Sequence, residues 1–464
     1  MPKSFKIFLY CCLTLSLLAG IWQGCRPNES DYLSGAEVQL RFSADTVFFD
    51  TLFTEIPSIT KRLRVYNDRD RPLIIDQITL ADPDTPYRIT VNGRQGTSFS
   101  EVRILARDSI LILLEALLPA RDSLAPFVVE DRLIFNPQHN LQEVIVLSWG
   151  QDAHYLKDTV LACNTTWSAG KPYVLFGSVL VDSLCTLALE AGTRVYAHNN
   201  ATLYIGGSLQ VAGTADKRVL FTNDRLDEPF ASAPGQWNGL VFLPGSSNNT
   251  IQFTDIRNAV NGIWLGTPDN DTLPDLVLNN CRLENMLQSA VLAFTSDLDM
   301  TNCLLANSGQ FVFAGLAGGH YRLTHNTLIN YAIGLTKTQP VLAATDRLEL
   351  NDGSVLEEAL TLYLTNNIVW GLADDELVIL NETTYPLLLQ ARNNLLRTTD
   401  DRFSGGSNIL NANPLFIDPY AFNYKPDSLS PAIDAGLPVG ITTDLEGNPR
   451  NATPDIGAYE YPSQ

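Results

Sequence analysis

The sequence predicts an all-β protein in which a small antiparallel β-sandwich precedes a solenoid of parallel β coils. Short runs of alternating apolar and polar residues, separated by Asn, Asp, Pro and Gly, fill the chain from about Ala36 to Gly150. Beyond them one phrase recurs, as NNCRLEN from Asn279, TNCLLAN from Thr301 and HNTLIN from His325. A period near 22 residues with Asn at the corners is typical of stacked coils.

The first 24 residues have the pattern of an export signal. Lys3 and Lys6 precede an apolar run, Ile7 to Trp22, that is shorter than the roughly 20 residues needed to cross a bilayer. A Gly-Cys pair ending in Cys25 follows, and here the chain resembles Bacteroidetes-type lipoproteins. The resemblance implies cleavage before Cys25, lipid attachment to its thiol, and an outer-membrane location on the periplasmic or extracellular face. The alternatives are a plain secretory signal cut nearby and an uncut anchor.

Charge limits the partners that the protein can bind. Removal of residues 1–24 takes away two lysines and no acids, so the formal net charge changes from -20 to -22. Nucleic acid is excluded as a partner because its binding depends on neutralising phosphates with Lys and Arg. We expect contact with a membrane only through the lipid, with residues 25–35 as a polar tether.

Residues 36–155 are predicted to form the sandwich. The runs VQLRF, TVFFDTLF, KRLRVYN, LIIDQITL, YRITVNG, SILILLEALL, DRLIFN and EVIVLSW give about seven strands of an immunoglobulin-like architecture. The phrases DTLFT, RVYND and WGQDA also resemble the amino-terminal domain that precedes β-helices in Bacteroidetes surface proteins. We interpret this domain as a spacer.

The repeated phrases align in columns. The first column holds Asn280, Asn302, His325, Asn366 and Asn393, the second Cys281, Cys303, Asn326, Asn367 and Asn394, and a third Leu283, Leu305, Leu328, Val369 and Leu396. Asn tolerates the left-handed backbone that a tight corner needs, and stacked amides about 4.8 Å apart can bond along the column. Cys281 and Cys303 are therefore expected to be buried free thiols, whereas a disulfide is favoured for Cys163 and Cys185.

Residues 160–415 resemble right-handed parallel β-helix proteins of the pectate-lyase-like fold. The phrases LEAGT, GSLQVAGT and WNGLVF are similar to the opening coils of that family. The stretches NPLFIDPYAFNYKPDSLSPAIDAG and TDLEGNPRNATPDIGAYEY, within residues 416–464, resemble its closing segment. Acidic residues around Arg450 in this segment are interpreted as polar closure of the last coil rather than as an active site.

The resemblance implies pectate lyase activity as one candidate function. That reaction needs Ca²⁺ bound by clustered carboxylates and a nearby Arg or Lys as the base. Asp269, Asp271 and Asp275 in TPDNDTLPD can offer oxygens to Ca²⁺, although such a loop is more often a solvated turn. Arg322, Lys337 and Arg347 are the bases that follow them in the chain. The sequence assigns no catalytic residue, since polygalacturonase-like phrases are incomplete and no Gly-x-Ser-x-Gly elbow occurs.

An insertion offers a binding loop. The spacing from His325 to Asn366 is 41 residues, and the excess falls in Lys337 to Leu360. Loops that project from coils form the walls of binding grooves. Four charged residues there can bind polar groups of a glycan: Asp346, Arg347, Glu349 and Asp352. An extra strand pair built from DRLELN is an equal alternative.

Two functions remain open. The first is a noncatalytic cell-envelope or surface lipoprotein whose β-helix binds a polysaccharide or a surface protein. The second is an extracellular polysaccharide lyase or glycoside hydrolase. A basic residue that faces three convergent carboxylates on one side of the coils would favour the enzyme, and scattered charges would favour binding.

Overall fold

The computed structural model describes Tyr32 and residues 38–137, 140–266 and 273–462. The chain folds into two compact units, Met1–Gln151 and Asp152–Gln464. Among the described residues, no helix is both long and apolar enough to span a membrane.

The first unit is a β-sandwich. Its strands are β1 (Arg41–Phe42), β2 (Thr46–Phe53), β3 (Lys61–Tyr66), β4 (Leu73–Leu80), β5 (Tyr87–Val91), β6 (Arg94–Gly96), β7 (Ser98–Ile104), β8 (Ser109–Ala116), β9 (Phe127–Asn136) and β10 (Gln142–Gln151). They form two sheets, β1-β3-β8-β5-β6 and β2-β10-β9-β4-β7. Successive side chains of a strand point to opposite faces, so Ile110, Ile112 and Leu114 of β8 point inward, into one core shared by both sheets. The predicted sandwich is confirmed, with two departures: the described residues form ten strands rather than about seven, and β2 and β10 pair in parallel.

The second unit is a parallel β-helix. It begins with β11 (His154–Val160), β12 (Thr165–Trp167), β13 (Tyr173–Val181), β14 (Thr186–Leu189), β15 (Arg194–Ala197), β16 (Thr202–Ile205), β17 (Ser208–Ala212), β18 (Val219–Asn223), β19 (Gly239–Phe242), β20 (Asn249–Gln252), β21 (Thr254–Arg257), β22 (Asn261–Leu265), β23 (Leu276–Asn279) and β24 (Arg282–Met286). Because β11 already pairs with β13, the coils start before residue 160.

The later coils contain two long strands that turn a corner. The strands are β25 (Ser289–Thr301), β26 (Leu304–Ser308), β27 (Phe313–Thr324), β28 (Thr327–Asn330), β29 (Leu342–Thr345), β30 (Arg347–Glu349), β31 (Val355–Glu357), β32 (Leu360–Thr365), β33 (Ile368–Gly371), β34 (Leu377–Leu380), β35 (Leu387–Arg392), β36 (Leu395–Leu396), β37 (Ile409–Leu410), β38 (Phe416–Asp418) and β39 (Asn423–Pro426). Within the described part of the chain, three short 3₁₀ helices span Phe230–Ser232, Asp401–Phe403 and Pro419–Ala421.

Parallel pairing of each coil with the next builds three faces. Sheet 1 contains β16, β19, β22, the first halves of β25 and β27, β29 and β34. Sheet 2 contains β17, β20, β23, the second halves of β25 and β27, β32 and β35. Sheet 3 contains β18, β21, β24, β26, β28, β33, β36 and β37. Their inward side chains form one continuous apolar core.

The predicted columns stack in register at the corner between sheets 2 and 3. Every member of the first column has a positive φ, between 51° and 57°. In the second column Asn326 donates from Nδ2 to Oδ1 of Asn367, and Asn367 donates likewise to Asn394, both at 3.0 Å. Since each amide also donates to a carbonyl of the preceding coil, the ladder satisfies buried polar groups along the stack.

The cysteines agree with expectation. Cys163 and Cys185 form a disulfide with Cα atoms 4.7 Å apart. Cys281 and Cys303 are buried free thiols, and the backbone N–H of Cys281 donates to Sγ of Cys303 at 3.4 Å.

Residues 416–462, here called the clasp, run along the outside of sheet 3. Side-chain amides of the first column donate to clasp carbonyls of Ala435, Leu437, Thr443 and Asp444, each from a different coil. Clasp residues Tyr424, Ile456 and Ala458 pack on outward Leu304, Ile329 and Trp370. Closure of only the last coil was therefore the wrong expectation. Phe403 instead enters the interior core after β36.

Candidate functional site

A pocket of about 960 Å³ lies on the outer face of sheet 3, between the coils and the clasp. Its chemically distinctive lining consists of three cations, two carboxyl groups and three aromatic rings: Arg257, Arg282, Lys425, Glu284, Glu446, Phe422, Tyr424 and Tyr459. We call it the clasp pocket. Its size and its mixture of rings with a few polar groups suit a small ligand.

Strand alternation creates the charged floor of this pocket. Ile256 and Leu283 are fully buried, so their neighbours on β21 and β24 point outward. The register sets Asp255 opposite Arg282, and Arg257 opposite Glu284. Opposite charges thus face each other across adjacent coils, which stabilises the pairing.

The ionic contacts converge on Arg282. Its Nη1 lies 4.0 Å from Oδ1 of Asp255, and its Nη2 lies 3.0 Å from Oε1 of Glu446 on the clasp. Glu284 also acts electrostatically on Arg282. One basic residue therefore faces three carboxyl groups on one side of the coils.

Two of these three carboxylates are already neutralised. Asp255 accepts from Nε of Arg218 at 2.8 Å, and Lys425 donates to Oε2 of Glu446 at 2.8 Å. Glu446 is consequently held between Lys425 and Arg282. We conclude that both carboxylates mainly hold the clasp and the coils together.

Glu284 differs from the other two acids. Burial raises the pKa of its carboxyl group, an effect that Arg257 opposes. The nearest cation contact is Nη2 of Arg257 at 3.4 Å, and no partner within the described part of the chain hydrogen-bonds the carboxyl group. Tyr424 lies close enough for Glu284 to raise its pKa, after burial as the main cause. The Tyr424 hydroxyl is buried and has no hydrogen-bond partner among the described residues.

The clasp pocket thus combines a carboxyl group that is 14% exposed, whose pKa burial raises, with a cation at its mouth. The Arg257 side chain is 44% exposed and its contacts with Asp255 and Glu284 are 3.7 and 3.4 Å long, so it can still donate to a ligand. Phe422 is 40% exposed and offers a ring surface. This arrangement can bind a molecule that carries several hydroxyl groups and an apolar face.

The insertion predicted to bind glycan is an antiparallel hairpin. β30 and β31 form a separate two-stranded sheet, which confirms the strand-pair alternative, and β29 within the same range is an ordinary strand of sheet 1. Asp346 was wrongly expected to face a ligand. It is buried and accepts hydrogen bonds from Asn381, from the backbone N–H of Glu382 and from Thr383, and these lower its pKa to about 2 despite the opposing effect of burial.

The other three insertion residues do not converge. Arg347 donates to Glu357 across the hairpin at 2.5 Å. Glu349 is exposed, and Asp352 accepts from Ser354 in the turn, which lowers the pKa of Asp352.

The predicted calcium site receives no support from the residues that can be placed. Asp269 and Asp271 lie outside the described residues. Asp275 is buried and its Oδ2 accepts the backbone N–H of Asp297 at 2.8 Å. No group of three or more His, Cys, Asp or Glu residues suited to a metal occurs within residues 38–137, 140–266 and 273–462.

The candidate bases are also engaged. Arg322 pairs with Asp299 and Arg347 with Glu357. Lys337 donates to the fully buried carboxylate of Glu376, so it is not positioned as a base. The predicted lipid-attachment residue, Cys25, and the export signal lie outside the described residues.

Sequence reasoning missed the clasp pocket. Arg282 and Glu284 stand inside the repeated phrase NNCRLEN, and TDIR places Asp255 and Arg257 at the matching positions one coil earlier. The acid and the base thus exchange places from one repeat to the next, and this pattern could have predicted ion pairs between the two coils. No sequence pattern indicated the contribution of the clasp, because Glu446 and Arg282 are 164 positions apart in the sequence.

Residues 159–272 match the sequence model of the family described as pectate-lyase like beta helix domain. This stretch of the chain is therefore similar in sequence to a pectate-lyase-like β-helix domain. No curated protein sequence matches the chain significantly.

Three solved structures illustrate how far structural similarity extends. The ASH / PapD-like domain of human CEP192 is 9% identical, with 28% of this chain and 96% of that chain covered and a TM-score of 0.19. A protein of unknown function from Porphyromonas gingivalis is 17% identical, with 26% and 59% covered and a TM-score of 0.18. The catalytic unit of the GH87 alpha-1,3-glucanase from Streptomyces thermodiastaticus is 11% identical, with 70% and 69% covered and a TM-score of 0.27.

Proposed function

We propose that the protein is an exported lipoprotein whose β-helix binds a glycan in the clasp pocket without cleaving it. The observation that carries the proposal is the combination, in one pocket of about 960 Å³, of exposed Phe422, a cation with spare donors at Arg257 and the mostly enclosed carboxyl group of Glu284. A sugar ring presents both the apolar face and the hydroxyl groups that such a surface can hold.

The envelope location rests on two features. Cys25 follows an export signal and is the expected lipid-attachment residue. The disulfide between Cys163 and Cys185 supports an oxidising compartment, because disulfides rarely persist in the cytosol. We infer an outer-membrane anchor, with the β-helix on the periplasmic or extracellular face.

Glycoside hydrolysis is the second candidate. The convergence of Asp255, Glu284 and Glu446 around Arg282 favours it, and the raised pKa of Glu284 suits a general acid. Hydrolysis also needs a second carboxylate that can act on water or on the anomeric carbon. Glu446 is held by two cations, and Asp255 is held by Arg218, so the binding function is preferred.

The test is retention of the full-length protein on a panel of neutral and acidic polysaccharides, with reducing ends and unsaturated uronate products measured in the same incubations. We expect retention on at least one glycan and no product, with or without Ca²⁺. Product formation that Glu284→Gln abolishes would establish the hydrolase instead. An absence of both retention and product would reject both candidates.

A further inference from the structure

A second pocket, of about 290 Å³, lies on the outer face of sheet 2. Asp297, His320 and Thr361 occupy one outward column on three adjacent coils and line it together with Arg322 and Tyr363. We call it the sheet 2 pocket. It shares no lining residue with the clasp pocket.

His320 is oriented by a carboxylate from the coil before it. Oδ1 of Asp297 lies 2.8 Å from Nδ1 of His320 and also accepts the backbone N–H of His320 at 3.0 Å. The Asp297 side chain is 10% exposed and the His320 side chain 40%. With Nδ1 occupied, Nε2 is the nitrogen left to take a proton, and the ionised carboxylate stabilises the imidazolium that results.

The buried Asp275 holds the backbone of Asp297, the residue that carries the orienting carboxylate. Its Oδ2 accepts the backbone N–H of Asp297, so the strand that carries Asp297 cannot shift along its neighbour without losing a buried hydrogen bond. A base oriented by an acid on a fixed backbone is the arrangement expected of a general base.

A cation lies beside this base. Nη1 of Arg322 donates to both oxygens of Asp299, at 3.1 and 2.9 Å, and its guanidinium lies 5.8 Å from the ring centroid of Tyr363. No acceptor within the described part of the chain takes the hydrogens of Nε and Nη2. These donors can therefore stabilise negative charge that develops on a bound oxygen.

We propose that the sheet 2 pocket hydrolyses carboxylic esters of small acyl groups, with His320 as the general base and Asp297 as its positioning residue. Nε2 of His320 takes a proton from water while the water oxygen attacks the ester carbonyl carbon. The negative charge of the tetrahedral intermediate is stabilised by Arg322. The C–O bond to the alcohol then breaks, and the leaving alkoxide receives the proton from Nε2, so that ester and water give acid and alcohol.

Ester chemistry fits these residues better than cleavage of a glycosidic bond. Glycosidases place two carboxyl groups on either side of the bond, whereas here a single carboxylate serves the imidazole. A volume of 290 Å³ admits a small acyl group rather than a long chain. The proposal does not depend on glycan binding in the clasp pocket.

The test compares ester hydrolysis by the full-length protein and by its His320→Gln variant, with 4-nitrophenyl acetate and an O-acetylated methyl glycoside as probes. A matched control is available on another face, because Nδ1 of His198 lies 2.7 Å from Oδ2 of Asp224 and the His198 side chain is 44% exposed. We expect His320→Gln to lower kcat/KM at least about 100-fold, the lower end for general-base catalysis, and His198→Gln to leave it unchanged.

Asp297→Asn tests the positioning role, and it should lower kcat more than it raises KM and alter the pH profile of kcat. His320 is an exposed side chain, so its variant should fold as the wild type does. Equal rates for the wild type and His320→Gln, or equal losses in the two histidine variants, would reduce the Asp297–His320 pair to a structural contact and overturn the proposal.

Discussion

Nη2 of Arg450 donates to Oδ1 of Asn302 at 2.9 Å, although the two residues are 148 positions apart in the sequence. Nη1 of the same guanidinium pairs with Oε2 of Glu460 at 3.0 Å. The side chains of Arg450 and Glu460 are only 1% and 5% exposed, so a buried ion pair within the clasp holds the guanidinium that bonds Asn302 of a central coil.

Arg450→Ala should release the clasp. Removal of one partner leaves Glu460 buried without its cation, which typically costs about 3–5 kcal/mol. Urea unfolding should show this loss, and hydrogen exchange should accelerate in residues 432–461. Arg402→Ala is the control, since the Arg402–Asp400 pair is partly exposed and should contribute about 0–1 kcal/mol. Unchanged exchange in the clasp of the Arg450 variant would contradict this role.

Asn367→Ala should interrupt the asparagine ladder. Asn367 accepts from Asn326 and donates to Asn394 and to the carbonyl of Leu323, all of them buried. The unpaired groups should lower the free energy of unfolding by about 1–3 kcal/mol, measured in urea. Thr324→Ala, on the outer face of sheet 2, should change it by less than about 0.5 kcal/mol. Equal effects of the two substitutions would show that the ladder adds no stability.

The disulfide should stabilise the first coils. Cys163 and Cys185 are 22 positions apart. Closing a loop of this length lowers the entropy of the unfolded chain, which stabilises the folded state by about 3 kcal/mol. The double variant Cys163→Ala/Cys185→Ala should lose about that much stability, and a reductant should then have no further effect on it. If a reductant lowers the thermal midpoint of wild type and variant equally, this assignment is wrong.

His325 should make the protein sensitive to acid. Burial, reinforced by Arg450, lowers the pKa of His325 from 6.5 to about 3. Below about pH 6.5 the histidine is therefore protonated in the unfolded chain, whereas in the folded chain it stays neutral down to about pH 3. The free energy of unfolding consequently falls as the pH drops from about 6.5 to about 3. Asp455, whose burial raises its pKa to about 6, acts in the opposite direction but is present in both proteins compared.

His325→Asn replaces this histidine with the residue found at the same corner in other coils. Between pH 7 and pH 5 the wild type should lose about 2 kcal/mol relative to the variant. Parallel stability curves for the two proteins across this range would mean that His325 is not held neutral.

Local pattern explains what the sequence could predict. The left-handed corners at Asn280, Asn302 and Asn366 follow from residue type and spacing, and the register follows once the corners are aligned. The clasp pocket could not be predicted in the same way. Its floor lies in the repeats, but its other wall is formed by the clasp, through contacts such as that of Glu446 with Arg282, which no local periodicity encodes.

In the insertion, by contrast, the sequence predicted a binding site that the structure does not show. Charged residues in an exposed stretch suggested a binding loop, yet Asp346 serves as a buried acceptor that fixes the turn at Asn381 and Thr383. Composition could not distinguish these roles, because an aspartate that caps a turn and one that meets a ligand have the same sequence pattern.

The most direct test of glycan binding in the clasp pocket is a binding isotherm for the best-retained polysaccharide with wild type, Arg257→Ala and Arg194→Ala. Arg194 lies on β15, outside the pocket lining, and serves as the matched control. The account predicts that Arg257→Ala weakens binding at least about tenfold, or about 1.4 kcal/mol, while Arg194→Ala leaves the affinity unchanged. Equal affinities for all three proteins would place the glycan elsewhere and contradict the account.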